Sequence, residues 1–219
     1  MNAQDKRAPD RYLSFAKEES TEWIIEKSRF IGYAAPTSSE EEALEFVKKV
    51  RREHPDATHV AFAYTIGPEG SLQRANDDGE PSGTAGVPIL EVLKREKVLD
   101  GVICAVRYFG GIKLGAGGLV RAYGKTAKLA LDAAGVVPWV RHRHLYVKTA
   151  YDLEGSLSYQ LNQWEAKVID TAYLAEVERI IDVPLSEMQE MEEKIRDLSR
   201  ASAKLSWGDV HYSPDKKVP

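Results

Sequence analysis

Between Gly110 and Gly118 the chain places five glycines in nine residues, GGIKLGAGG. Glycine in the interior of a helix or strand costs roughly 0.5–1 kcal/mol relative to alanine, so so bare a stretch reads as a loop. It follows Gly101 to Phe109, an apolar, β-prone run, and precedes a helical pattern from about Leu119 to Ala134, with Gly135 as the stop. The order strand, glycine loop, helix puts bare backbone beside a helix N-terminus, whose unpaired N–H groups and dipole favour anions. Lys113 adds a cation within the loop. Arg121, Lys125 and Lys128 follow at i, i+4 and i+7 and share one helical face. Gly110, Gly111, Lys113, Gly115, Gly117, Gly118, Arg121, Lys125 and Lys128 are therefore candidates for anion or nucleic-acid binding. The plainer alternative is a set of tight turns beside a solvated basic face. No Gly-Lys-Ser/Thr follows, which excludes a P-loop, and the glycine spacing does not fit G-x-G-x-x-G.

Other elements are read from pattern. Trp23–Ile25 and Arg29–Tyr33 read as strands. Ser38 or Ser39 caps a helix that opens on Glu40, Glu41 and Glu42 and stops before Pro55. His59–Ile66 reads as a strand ending at a Gly67-Pro68 turn, and Val87–Lys97 as a helix. Beyond Pro138 the order is strand (Leu145–Ala150), helix (Gly155–Trp164), strand (Ala166–Tyr173), strand (Leu174–Val183), helix (Pro184–Ser199), strand (Ala203–His211). This β-α-β-β-α-β order is that of ferredoxin-like domains. The expected architecture is α+β in two domains, residues 12–138 and 139–213, with a disordered tail at Ser213–Pro219.

Charge supports two units. The net charge of the 219 residues is −4. From His144 onward 14 acidic and 9 basic residues leave −5, and the remainder carries +1. No apolar run approaches the roughly 20 residues of a membrane helix. Met1–Arg11 lacks the apolar core of a signal peptide. The single cysteine, Cys104, excludes an intrachain disulfide and a cysteine-based zinc site. It reads as a small buried hydrophobe, and the chain as a soluble, cytoplasmic protein without a membrane partner.

A second candidate loop is Asp77-Asp78-Gly79-Glu80-Pro81-Ser82-Gly83-Thr84-Ala85-Gly86. Asp77, Asp78 and Glu80 could hold a divalent cation, and Ser82 and Thr84 could donate to a phosphate, although the EF-hand spacing is absent. No nucleophile elbow is present. The alternative is an ordered surface loop with a capped turn. His59 could approach this loop as a base, but a structural histidine is the stronger expectation. His142 and His144 share a strand face without an evident third ligand, so no metal site and no cofactor are expected.

Three stretches together resemble one family: Lys27-Ser28-Arg29-Phe30-Ile31, the loop Asp77 to Gly86, and Arg107-Tyr108-Phe109-Gly110 through Leu119. They are similar to the IMPACT family in its bacterial form, over roughly Tyr12 to Val137, with a C-terminal part like the extra domain of bacterial members. Departures are small: Ile103-Cys104-Ala105-Val106 stands where bulkier aliphatics are usual, and Thr65 where a basic residue is common. The resemblance adds Arg107 to the candidate anion-binding set, with Lys27, Ser28 and Arg29 as secondary positions. It implies an N-terminal domain like the second domain of a small-subunit ribosomal protein. It also implies a C-terminal domain like the last domain of elongation factor G. Eukaryotic relatives regulate translation by engaging a co-activator of a starvation-responsive kinase, although fold does not fix function.

Three functions compete. The favoured one is a non-enzymatic, translation-associated regulator that binds RNA, the ribosome or a protein partner through the glycine loop and basic helix. The second is an enzyme handling a phosphorylated small molecule or nucleotide, with Mg²⁺ on the acidic loop. The third is a protein–protein adaptor whose acidic C-terminal domain docks a basic partner.

Overall fold

The computed structural model describes residues 9–67 and 69–215. The chain divides into two compact units, Met1–Trp139 with Pro214–Pro219, and Val140–Ser213. In the first unit the strands are β1 (Arg11–Phe15), β2 (Glu19–Ile25), β3 (Ser28–Pro36), β4 (His59–Ile66), β5 (Leu72–Asn76) and β6 (Gly101–Tyr108). The helices are α1 (Glu40–Glu53), α2 (Gly86–Arg95) and α3 (Gly115–Ala134). The strand β7 (Val136–Thr149) follows α3.

A five-stranded antiparallel sheet, β2-β3-β6-β4-β5, forms the centre of the first unit. β6 is central and buried on both faces, which explains its unbroken apolar run. Side chains alternate across a strand. Val102, Cys104 and Val106 therefore join Ala43, Phe46, Val47 and Val50 of α1 in one core. Ile103 and Ala105 join α2 and α3 in the other. Burial pushes the Cys104 thiol well above its ordinary range. The α3 layer lies very close to the sheet. A Cβ on Gly32 would stand 2.8 Å from the Thr126 carbonyl oxygen, and the helix answers with Ala122, Ala127, Ala130 and Ala134. Trp23 stacks on Phe30 at 5.6 Å between ring centroids and donates its Nε1–H to Thr126 Oγ1 at 2.8 Å.

Caps follow the sequence. Ser39 caps α1 by accepting from the Glu42 amide, and the Glu42 carboxylate accepts from the Ser38 amide at 2.7 Å. Two strands lay outside the sequence reading: β1, and the polar edge strand β5. A second difference is the start of α3 at Gly115 rather than near Leu119, so Gly117 and Gly118 belong to the helix and not to a loop.

The second unit contains α4 (Glu154–Gln163), β8 (Lys167–Tyr173), β9 (Val177–Pro184), α5 (Met188–Leu198) and β10 (Lys204–Pro214). With β7 these give the element order β-α-β-β-α-β. Along its sheet the strands run β10-β7-β9-β8, so β7 and β9 are central. β1 pairs beside β7. Leu145 and Val147 on β7 and Ile181 and Val183 on β9 pack with Leu157, Leu161, Met191 and Ile195 of the helices. Trp164 and Trp207 pack against this core. Arg179, also on that face, is buried and held by Glu154 and by Ser158 Oγ at 2.8 Å.

The boundary expected at Pro138 falls inside β7, a single 14-residue strand. Of the tail expected to be disordered, Ser213 and Pro214 lie in β10, and the Asp215 amide bonds the Pro138 carbonyl at 2.8 Å. Residues 216–219 lie outside the described residues, as do Pro68 of the expected turn and the first eight residues of the N-terminus. Among the described residues, no helix is long and apolar enough to cross a membrane.

Candidate functional site

The alternation of β6 that places Ile103 and Ala105 against α3 sends Arg107 to the same side. Its guanidinium is buried, and Nη1 lies 2.6 Å from Glu80 Oε1. The Tyr123 hydroxyl of α3 donates to the same oxygen at 2.8 Å. His59 Nε2 stands 3.8 Å away. Burial, and then the neighbouring Glu80 charge, push the Tyr123 phenol far above its ordinary range. The Arg107 guanidinium also lies 5.6 Å from the Phe30 ring and 5.3 Å from the Phe109 ring. Arg107 was expected among the anion-binding residues; the structure instead commits its charge to Glu80 beneath the surface. Tyr123 is not among the residues singled out from the sequence. A buried phenol needs a hydrogen-bond partner, and that requirement was the available signal.

The carboxylates of the acidic loop each do separate work. Asp77 accepts backbone N–H bonds from Gly83 at 2.8 Å, Ala85 at 3.0 Å and Gly86 at 2.8 Å, closing the loop onto the start of α2. Burial raises its pKa, but these three amides outweigh burial and hold it below the ordinary carboxylate range. Asp78 accepts from the Val60 amide at 2.6 Å and pairs with Arg51 at 2.5 Å. Its backbone oxygen is 2.7 Å from His59 Nδ1. A carbonyl can only accept, so the proton sits on Nδ1 and His59 locks the loop to β4. Gly79 packs 3.6 Å from that ring, measured from its Cβ direction. Thr84 is buried and donates to the Pro81 carbonyl at 2.6 Å, while Ser82 and Gly83 lie nearer the surface. Asp77, Asp78 and Glu80 thus face three different sets of partners rather than one shared point.

The glycine loop rests on the Lys27–Ser28 turn. The Gly110 amide donates to the buried Ser28 Oγ at 3.2 Å, and a Cβ at Gly110 would stand 2.0 Å from the Lys27 carbonyl carbon. Only glycine fits this contact. The Phe109 amide donates to Thr58 Oγ1 at 3.0 Å. Arg29 points elsewhere, paired with Glu22 at 2.8 Å and 5.3 Å from the Tyr108 ring. The three motifs read from sequence therefore meet as one scaffold. Ser28 holds Gly110, and Arg107 of the third motif holds Glu80 of the second.

Above that scaffold the backbone is open. Gly111, Lys113, Gly115 and Gly117 are exposed. Gly115 opens α3 at φ +70, with no atom within 4 Å of its Cβ direction. Gly118 packs on Leu114 within the first turn. Lys113 and Arg121 pair with no carboxylate among the described residues. The basic stripe is not uniform. Lys125 Nζ lies 4.1 Å over the Trp23 ring, and Lys128 sits between Asp132 at 2.6 Å and Glu96 at 3.6 Å. Arg121 and Lys125 line a groove of ≈ 540 Å³ between α2 and α3, together with Val87, Pro88, Val92 and Val120. The arrangement offers exposed helix N–H groups with two uncommitted cations, a geometry suited to phosphate oxygens.

Residues 26–131 match the model of the Impact N-terminal domain, and residues 147–202 match a domain of unknown function, DUF1949. The IMPACT family member YvyE of Bacillus subtilis (strain 168) is 40% identical over 201 residues, 92% of this chain and 93% of that protein. The IMPACT family member YigZ of Escherichia coli (strain K12) is 39% identical over 183 residues, 83% of this chain and 90% of that protein. A crystal structure of a hypothetical protein superposes with TM-score 0.61 at 35% identity, covering 90% of this chain and 97% of that one. With the motif scaffold in place and likeness running along nearly the whole of its relatives, the chain belongs to the IMPACT family and is YigZ-like.

Proposed function

We propose that this protein is a non-enzymatic regulator in translation that grips the phosphate backbone of RNA, free or on the ribosome. The contact surface is the glycine loop with the amino end of α3. One observation supports this above the rest: the 20-residue helix α3 opens on exposed glycines, with Lys113 and Arg121 beside it and unpaired with any carboxylate among the described residues. Gly111, Gly115 and Gly117 supply bare backbone, and Lys125 supplies a third cation next to Trp23. Arg107 and Lys128 leave the contact set, since carboxylates of this chain already hold them. The enzymatic alternative draws no support from the acidic loop, whose carboxylates are engaged in holding it shut.

The test is a salt titration of binding to purified ribosomes and to a mixed RNA pool. Three phosphate contacts on single strands predict a log–log slope of about −2. A folded Lys113→Glu, Arg121→Glu, Lys125→Glu variant should lose the binding. Salt-insensitive binding, no binding at low salt, or equal binding by the variant would overturn the reading.

A further inference from the structure

We propose that His144, Asp182 and His211, with His142 beside them, form a binding site in the second unit for one divalent first-row transition ion such as Zn²⁺. Strand pairing builds the site. His142 and His144 are two residues apart on β7 and share the face opposite Leu145 and Val147, which pack with the helices. In the β7–β9 register His144 stands opposite Asp182. β10 pairs with the other side of β7 and brings His211. One ligand atom each from His144, Asp182 and His211 lies within 4.8 Å of the others. The His144 and His211 ring centroids are 4.3 Å apart.

The carboxylate is oriented for the task. Lys167 Nζ holds Asp182 Oδ2 at 2.8 Å and is itself held by Ser213 Oγ at 2.8 Å. Oδ1 is left to the imidazoles, with His211 Nε2 at 2.9 Å and His142 Nδ1 at 3.1 Å. Outer partners of this kind fix the direction of a ligating carboxylate. His142 lies deeper in the same cluster. It is 5% exposed, and its Nδ1 faces the same carboxylate oxygen as His211 Nε2. A neutral imidazole has one N–H and one lone pair. The carboxylate only accepts, so the nitrogens facing Oδ1 carry protons; a tautomer change turns a lone pair toward the cluster, and a metal ion is a partner that several such lone pairs can share. Imidazole nitrogens with one carboxylate oxygen suit Zn²⁺, Co²⁺, Ni²⁺ or Fe²⁺, whereas Mg²⁺ and Ca²⁺ take oxygen shells. The His211 side chain is 33% exposed, which leaves an open side for entry.

The experiment uses the full chain without a histidine tag, stripped by a chelator. Calorimetric titration with Zn²⁺ and visible spectra with Co²⁺ read the site, and thermal midpoints are measured in both states. One ion per chain, a Co²⁺ d–d band and a zinc-dependent rise in midpoint are expected. His144→Ala and His211→Ala should each weaken binding at least about tenfold, the lower bound seen when only outer-shell partners are removed. Should His144→Ala not fold, His211→Ala, at the more exposed position, carries the test. Absence of uptake by the wild type overturns the proposal. So does unchanged affinity in the folded variants.

Discussion

Glu80 in the first unit and Asp182 in the second are both buried carboxylates ringed by basic or polar groups, yet their partners differ in kind. Bonded to Glu80 are a guanidinium and a phenol, donors at neutral pH, with the His59 imidazole farther off at 3.8 Å. Both donate to the same oxygen, Oε1, and hold it in place. Around Asp182 stand three imidazoles, each of which can donate or accept, and one lysine on the far oxygen. A cluster of fixed donors is a fastener, whereas a cluster of switchable groups can take up a third party. The family motifs in the first unit belong to the fastener, and the exposed glycine loop is what it holds in place.

The sharpest way to break this contrast is to halve the Glu80 network. Glu80→Leu strands the Arg107 charge in the core, and removing one member of a buried pair costs about 3–5 kcal/mol. Urea denaturation should show that loss, and Glu80→Leu with Arg107→Met should recover much of it. If the single variant is as stable as wild type, the network is not a fastener. Next in size is Tyr123→Phe, which deletes a hydrogen bond to a charged group and should cost about 1.5–3 kcal/mol in the same measurement.

Asp77 gives a pH-dependent prediction within the same loop. Its folded pKa lies below the unfolded one, so its contribution is present above the unfolded pKa and is lost as pH falls through the folded value. The stability gap between wild type and Asp77→Asn should therefore be full near neutrality and shrink between about pH 5 and pH 2. A gap that stays constant over that window would show that the three amide bonds do not favour the charged form. The smallest effect is expected at Lys128. It is surface-exposed and already paired, so Lys128→Ala should change stability by less than about 1 kcal/mol. It should also leave the salt slope of RNA binding nearly unchanged, while Lys113→Ala lowers it by close to one contact.

How much was legible in the sequence follows from how local each feature is. β4 runs from His59 to Ile66 as read, because its apolar run and the glycine that follows it form one short, local signal. The Ser39 cap with Glu42 is likewise a short-range signal. β5 escaped because Leu72–Asn76 is an exposed edge strand with little apolar pattern. The true start of α3 escaped because glycine propensity argues against a helix and the exposed Gly115 and Gly117 offer no apolar pattern to outweigh it. Arg107 shows an inference that was within reach: its parity with Ile103 and Ala105 puts it in the core, and a buried arginine requires a carboxylate. The Asp182 cluster was out of reach, since His211 lies 29 residues from Asp182 in sequence and meets it only through the β10–β7–β9 pairing.

The contact between Ser28 and Gly110 spans 82 residues, and that between Trp23 and Thr126 spans 103. The shape of the glycine loop is therefore set by a hairpin made much earlier in the chain. During folding the loop stays without its floor until β2 and β3 dock beside β6, and contacts of such long separation form slowly. A chain emerging from synthesis would complete the proposed anion-binding surface only once α3 is available to pack on β2 and β3, so that surface matures with the first unit and not piecemeal.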